Sequence, residues 1–484
     1  MPILAGLEEK YKRIVATANP NVGKYASAPR ELRLAIISSV VLLSSTAALH
    51  CAGALDFSNP LVAVIVAALP AVLWLKVADT VAGVSSLRRK VEEELAFLVV
   101  ASAAVSKTGL ELAEMLKYAA SSKVFRGVKA LGERFAQLSS LFGANQAMHA
   151  LSRIASGKAR LLLTEYAASL SAGTALYLLR DRAGEFVRAA ALDADRAVQS
   201  RAALGLVLTT IFGVAPSLFS GMLMLQGIGV EGNIAEPGIE AYAYSLAIAA
   251  FSPLVLAMIP GYPLSMSVVL DKRLVKLLNA LTAAGTALLA LPAVALVING
   301  SEFKGSALKL APISIALGSA GFALILSAMF TSRVDASVEE MLNHVRVWRS
   351  LHLYRPSALE REERRGARLW TADYLAEALS FFRQVGDCDP AVFELLAMYV
   401  HECKRSAKKC LQTLAVMLAV VLISPAMNAS MLSLGARAFP QYILLGYLSS
   451  VAYGFIASKV ALGESKSTLL PALSALIFAL VAPD

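Results

Sequence analysis

Charge is scarce in this sequence: Asp, Glu, Lys and Arg make up only 17% of its 484 residues. A soluble globular chain carries about 25%, so water is not the main solvent of this one. Four cysteines, Cys51, Cys388, Cys403 and Cys410, stand in no CxxC or ligand-like spacing, which excludes a disulfide framework and a zinc site as organising features. The five histidines are scattered, and His401-Glu402 is followed by Arg405 where a zinc-protease helix needs its second histidine. A phosphate-cradling loop is missing too, since Gly463-Glu464-Ser465-Lys466-Ser467 lacks the second glycine of that motif, and no Gly-x-Ser-x-Gly elbow occurs. No catalytic residue, metal or cofactor is therefore expected. The net charge of +10 raises nucleic acid as a partner, but Lys and Arg retained in cytoplasmic loops account for it, and no nucleic acid is expected.

What the chain has in plenty is apolar residues, 57% of the total, with a mean hydropathy of +0.63. A helix needs roughly twenty apolar residues to cross the hydrocarbon core of a bilayer. Runs of that kind occur at Leu34–Ala54, Pro60–Val77, Ala202–Leu225, Tyr242–Ile259, Leu274–Val297, Leu310–Thr331, Leu411–Leu434, Gln441–Lys459 and Leu469–Ala482. The last is short, and with the eighth it reads either as a shallow hairpin or as a span completed by tilted flanks. The expectation is an all-α, polytopic membrane protein with about nine transmembrane helices. Its segments are a cytoplasmic N-terminal stretch at 1–33, two spans in 34–77, a helical domain at 78–201, four spans in 202–331, a second helical domain at 332–410 and three spans in 411–484.

Orientation follows from Lys and Arg near the spans. The N-terminal stretch holds Lys10, Lys12, Arg13, Lys24, Arg30 and Arg33, whereas the connections Leu55–Asn59 and Gln226–Ala241 hold none. This places the N-terminus and both polar stretches in the cytoplasm and the C-terminus outside, with Lys304, Lys309 and Arg437 as the outer basic residues. The intermediate prolines, Pro292 and Pro312 among them, read as kinks, and Lys276 and Lys459 lie near span ends where snorkelling suffices.

In the first polar stretch Leu95, Leu98, Val99, Ser102 and Val105 recur at helical spacing, as do Leu112, Met115 and Leu116. Glycines at 109, 127, 132, 143, 157, 173 and 184 fall where helix ends are expected. The second stretch carries a charged run, Glu360–Arg365, and then a partial repeat: Thr371–Gly386 matches Glu94–Gly109, with Tyr374-Leu375 standing where Phe97-Leu98 stand before the glycine. Two unequal copies of one module are expected.

Several segments occur in a telling order: Val91–Leu98, Ser106-Lys107-Thr108-Gly109-Leu110, Leu141-Phe142-Gly143-Ala144-Asn145-Gln146-Ala147-Met148-His149-Ala150-Leu151, Leu170–Leu179 and Ala215-Pro216. In this the chain resembles the type II secretion F-like inner-membrane platform proteins, in the archaeal branch that serves archaella and type IV pili. The sequence detail of the likeness runs over about 91–216. The second module departs from it, with about twenty-five residues from Gly386 to the next span against over ninety after Gly109. The resemblance implies a homodimer in the cell membrane, in contact with lipid, that couples a hexameric cytoplasmic secretion ATPase to the handling of pilin-like subunits.

For ATPase docking the charged groups of interest are Arg88, Arg89 and Lys90, followed by Glu92, Glu93 and Glu94, and the turn Asp271-Lys272-Arg273. The second reading of Glu92–Glu94 is an acidic first helical turn favoured by the dipole. Small residues at Gly205, Gly213, Gly221, Gly285 and Gly318 offer close packing for pilin helices. The alternative function is a secondary transporter with cytoplasmic regulatory domains, against which stands the near absence of charge at mid-span. A signalling receptor fits worse, because the longest outer connection is about sixteen residues, too short for the sizeable domain outside that it needs.

Overall fold

The computed structural model describes residues 87–103, 111–215, 272–299, 303–330, 415–430, 440–463 and 467–482 almost throughout, with scattered positions at 33–44, 105, 218, 248–269, 368–381, 398–409 and 432. Among these the chain is helical apart from one two-residue antiparallel ladder, β1 (Val268–Val269) on β2 (Arg368–Leu369).

The helical domain begins with α1, residues 87–103, followed by α2 (Leu112–Ser121), α3 (Lys129–Phe142), α4 (Ala144–Ile154), α5 (Gly157–Ser171) and α6 (Ala175–Thr209). The apolar positions expected to face a core do so: Leu95, Leu98, Val99, Val105, Leu112, Met115 and Leu116 are all buried. Gly143, Gly157 and Gly173 take positive φ at helix ends, as their spacing indicates. Gly132 and Gly184 lie inside helices instead. At Gly132 the reason is a crossing: a Cβ there stands 2.3 Å from the Leu116 carbonyl of α2.

The second polar stretch does not keep to itself. Tyr374, Leu375, Ala378, Phe381 and Tyr399 are buried in the same core as the first. The two residues that the internal repeat equates, Phe97 and Tyr374, meet edge-to-face with ring centroids 5.6 Å apart, and Phe125 closes on Tyr374 at 4.8 Å. Such pairs add about 1 kcal/mol each to the burial of their area.

The junction expected between residues 201 and 202 is not a break. α6 is a single helix of 35 residues, about 52 Å long, running from the domain core into the apolar region. Ala175, Leu179, Ala183 and Val187, at four-residue spacing, belong to the domain core, while Val198 and Leu208 belong to a second cluster among the apolar helices. A π-helical turn, Thr210–Val214, ends it with Phe212 in that same cluster.

The apolar region is built from α7 (Lys272–Asn299), α8 (Phe303–Phe330), α9 (Ala415–Ser430), α10 (Pro440–Leu462) and α11 (Leu469–Val481). Three windows, Arg273–Leu296, Phe303–Leu326 and Tyr442–Leu462, are long and apolar enough to cross a membrane. They correspond to the fifth, sixth and eighth expected spans, the sixth starting seven residues earlier, so that Lys304 and Lys309 lie on its first turns. α9 is 16 residues long and α11 only 13, the latter as short as expected. The first, second and fourth expected spans lie wholly or mostly outside the described residues, and the third is described over residues 202–215. α7 and α8 continue through Pro292 and Pro312.

The central helix of this bundle is α10, with 78% of its window buried, against 22% and 28% for α7 and α8. Its packing rests on glycines. A Cβ on Gly454 stands 2.4 Å from the backbone of Pro471, and one on Gly446 stands 2.6 Å from the Phe478 ring. The turn into α11 lies against the midpoints of α7 and α8, where Ser467 and Thr468 donate to the carbonyls of Gly318 and Ser314, and Ser314 to that of Gly285. In hydrocarbon, where apolar surface gives helices no reason to associate, close approach and such hydrogen bonds hold the bundle.

Candidate functional site

The charged segment at the start of α1 lies where the helical domain meets the apolar bundle. Arg88 is exposed and its Nε donates to Glu92 Oε1 at 3.2 Å. The same oxygen accepts the backbone N–H of Lys158 at 3.1 Å, so Glu92 caps the first turn of α5. Gly157 must be glycine here: its φ is +60° and a Cβ stands 2.1 Å from that carboxylate. Arg89 donates to the carbonyl of Gly261 at 2.7 Å.

Glu94 is not available to a partner. It is buried, and Oε2 accepts the N–H groups of Gly127 and Val128 at 2.7 and 2.8 Å while Oε1 accepts the Tyr374 hydroxyl at 2.5 Å. No side chain next to α3 caps its N-terminus, and this carboxylate from α1 does so from a distance in sequence. Burial pushes the Glu94 carboxyl above its ordinary value, while the Tyr374 hydroxyl, the two amides and Lys90 pull the other way. From sequence these acids read either as a docking group or as an acidic turn favoured by its own helix; the structure shows two of the three capping other helices. Glu93 and Lys90 are half-buried. Of the second charged group, Asp271 lies outside the described residues, Lys272 opens α7 and Arg273 is exposed on it.

Behind the charged segment a cavity of about 710 Å³ opens between α1, α5 and α6. Leu95, Phe97, Val100, Leu162 and Phe186 form its apolar wall, and Arg89, Glu92, Glu93, Lys158, Arg182 and Arg196 stand around it. Charges of both signs around an apolar wall suit the stripe and flanks of an amphipathic helix better than a small polar substrate. Among the described residues no three His, Cys, Asp or Glu side chains converge as a metal site would require.

Three connections that sequence reasoning missed hold α6, two of them to the bundle and one to the second polar stretch. Arg201, 2% exposed, donates from Nη1 to the carbonyls of Lys459 and Val460, 3.3 Å each, and so caps the C-terminal turn of α10. Thr209 and Tyr453 share a hydrogen bond of 2.8 Å between α6 and α10. Asp195 on α6 accepts from Lys409 at both carboxylate oxygens, at 2.7 and 2.8 Å, reaching the second polar stretch. Lys459 turns inward to the Leu256 carbonyl rather than outward to a headgroup. The one signal in the sequence was Arg201 itself, a lone cation on the threshold of an apolar run.

The glycines expected to receive pilin helices are occupied within the chain. A Cβ on Gly205 meets Met417, one on Gly285 meets Thr468, and one on Gly318 stands 2.3 Å from the Leu469 amide. Gly213 and Gly221 have no described surroundings. Comparison with known proteins gives no match: no family model, no curated protein and no solved structure matches this chain.

Proposed function

We propose that the protein is a non-enzymatic membrane platform that passes work from a cytoplasmic hexameric secretion ATPase to pilin-like subunits in the membrane, in an archaeal pilus or archaellum assembly system. The observation that carries this reading is α6. One uninterrupted helix has its first half locked in the helical domain and its second half locked against α10 through Arg201, Gly205 and Thr209. A displacement of the domain therefore reaches the apolar bundle without crossing a loop. Packed helices transmit such displacements because interiors are dense and have discrete arrangements.

The layout supports the rest. Both polar stretches contribute to one core, so the domain moves as a body, and the apolar faces of α7 and α8 are largely uncovered among the described residues. Those faces, rather than Gly205, Gly285 or Gly318, are where a subunit's helix would lie.

Two extra glycines inserted after Ser200 test the rod. The variant should still co-purify with the ATPase and should build no surface filament in cells that lack the native gene. Normal filaments from that variant would remove α6 as the transmitting element, and a wild-type chain that binds no such ATPase would remove the platform reading itself.

A further inference from the structure

The end of the helical domain farthest from the apolar bundle exposes its greasiest side chains. Leu141 and Phe142 end α3, and Leu176 and Tyr177 begin α6; they are 73%, 59%, 38% and 78% exposed. The two turns that carry them are held side by side, with Asn145 Nδ2 donating to Ser171 Oγ at 3.0 Å and Ser171 Oγ donating to Asn145 Oδ1 at 3.2 Å. Each turn has a glycine of positive φ, Gly143 at +82° and Gly173 at +71°, and a Cβ at either one meets nothing within 4 Å. These glycines shape the turns; no contact among the described residues requires them.

The two segments that carry the patch are also without charge. No Asp, Glu, Lys or Arg occurs between Arg134 and Arg153 or between Glu165 and Arg180. The rest of residues 87–201 is densely charged, with 17 Lys and Arg against 11 Asp and Glu. An exposed aromatic and aliphatic patch inside a basic surface marks a site that another molecule covers.

Position decides which molecule. Tyr177 lies 24 residues before Arg201 on the same helix, about 36 Å from the point where α6 enters the bundle. Lipid of the membrane holding the bundle is out of reach. A second copy meeting this end head-on would put its own apolar bundle on the far side, away from that membrane. What can cover the patch is a soluble protein approaching from the water.

We propose that this uncharged end, with Phe142 and Tyr177 as its anchors, is the docking surface for the motor, which meets it with an apolar, uncharged surface of its own. The identity of the occupant rests on the platform reading above; the location of the surface does not. Phe and Tyr held at the ends of adjacent helices are rigid anchors of the type that dominates interface affinity.

The test uses the full chain in lipid nanodiscs and the purified hexameric secretion ATPase of the same cell. The double variant Phe142→Lys, Tyr177→Glu places each new charge where its helix dipole favours it, so the fold is not endangered. Lys129→Gln, exposed at the opposite end of α3, is the control. The expected result is at least about a tenfold loss of affinity in the double variant and none in the control. Equal binding by the double variant and the wild type overturns the surface and leaves the platform reading standing. Failure of the wild-type chain to bind overturns that reading together with the occupant. A double variant that dissociates from dimer to monomer while keeping its ATPase affinity assigns the patch to a second copy and overturns the proposal.

Discussion

Glycine serves opposite purposes in the two regions of this protein. In the helical domain Gly143 and Gly173 sit at turns in open space, and their value is the backbone angle they permit. In the apolar bundle Gly285, Gly318, Gly446 and Gly454 sit within helices, and their value is the missing side chain. The difference follows from the solvent. A domain in water is held by burying Leu98, Met115, Phe125 and Tyr374, so a close crossing such as that at Gly132 is less of what holds it, and Gly143 and Gly173 are left to shape the chain between helices. Helices in lipid gain little by burying leucine, so they must come close, and only small residues allow it.

Alanine at Gly318 is the severest test of that contrast. Its Cβ falls 2.3 Å from a backbone amide of α11, which cannot step aside as a flexible side chain can. A loss of roughly 3 kcal/mol or more is expected, seen as a large fall in the thermal midpoint of the detergent-solubilised protein; an unchanged midpoint would break the comparison. The same substitution at Gly173 should cost only about 1 kcal/mol, the strain of a left-handed residue.

Between these extremes lie the two buried charges. Glu94→Ala strands the Gly127 and Val128 amides and the Tyr374 hydroxyl, and should destabilise the domain by roughly 3 kcal/mol, measured by chemical denaturation. Glu94 also gives the domain a pH dependence of definite sign. Burial holds its carboxyl above the ordinary 4.5, so the folded state favours the protonated form. The stability it contributes is complete below the unfolded value and is lost as pH rises through the folded one. Glu94→Gln should flatten that slope, and an identical pH profile in the variant would show that Glu94 does not titrate as its burial implies.

Arg201→Met removes the cap on α10, and a cost of about 2 kcal/mol is expected. It should also free the domain from the bundle, read as faster proteolysis of α6 near residue 200. The smallest effect belongs to Asp195→Asn. That pair is 38% exposed on both sides, and its loss should shift stability by about 0.5 kcal/mol or less, vanishing at high salt.

Much of the helical domain was legible beforehand because its core positions repeat at the helical period: Leu95, Leu98, Val99, Leu112 and Met115 announce their burial in the spacing alone. The candidate docking residues were not. Glu92 and Glu94 carry the same charge and stand two positions apart, yet each is consumed by a helix that starts more than thirty residues later. Periodicity reports a face, not what lies opposite it.

The sequence by itself determined that this chain is helical, that its helices divide between water and an apolar medium, and that Gly143, Gly157 and Gly173 stand at helix ends. These follow from local pattern and composition. Tertiary structure alone decided that the two polar stretches share one core through Phe97 and Tyr374, that Glu94 is buried and Arg201 caps α10, and that α6 passes from one region to the other without a break. The shared core, the Tyr374 contact to Glu94 and the Arg201 cap join residues 258 or more positions apart, and Glu94 and Glu92 cap helices more than thirty positions on, by packing that no local preference encodes; α6 is locally helical, and only what holds its two halves comes from that distant packing.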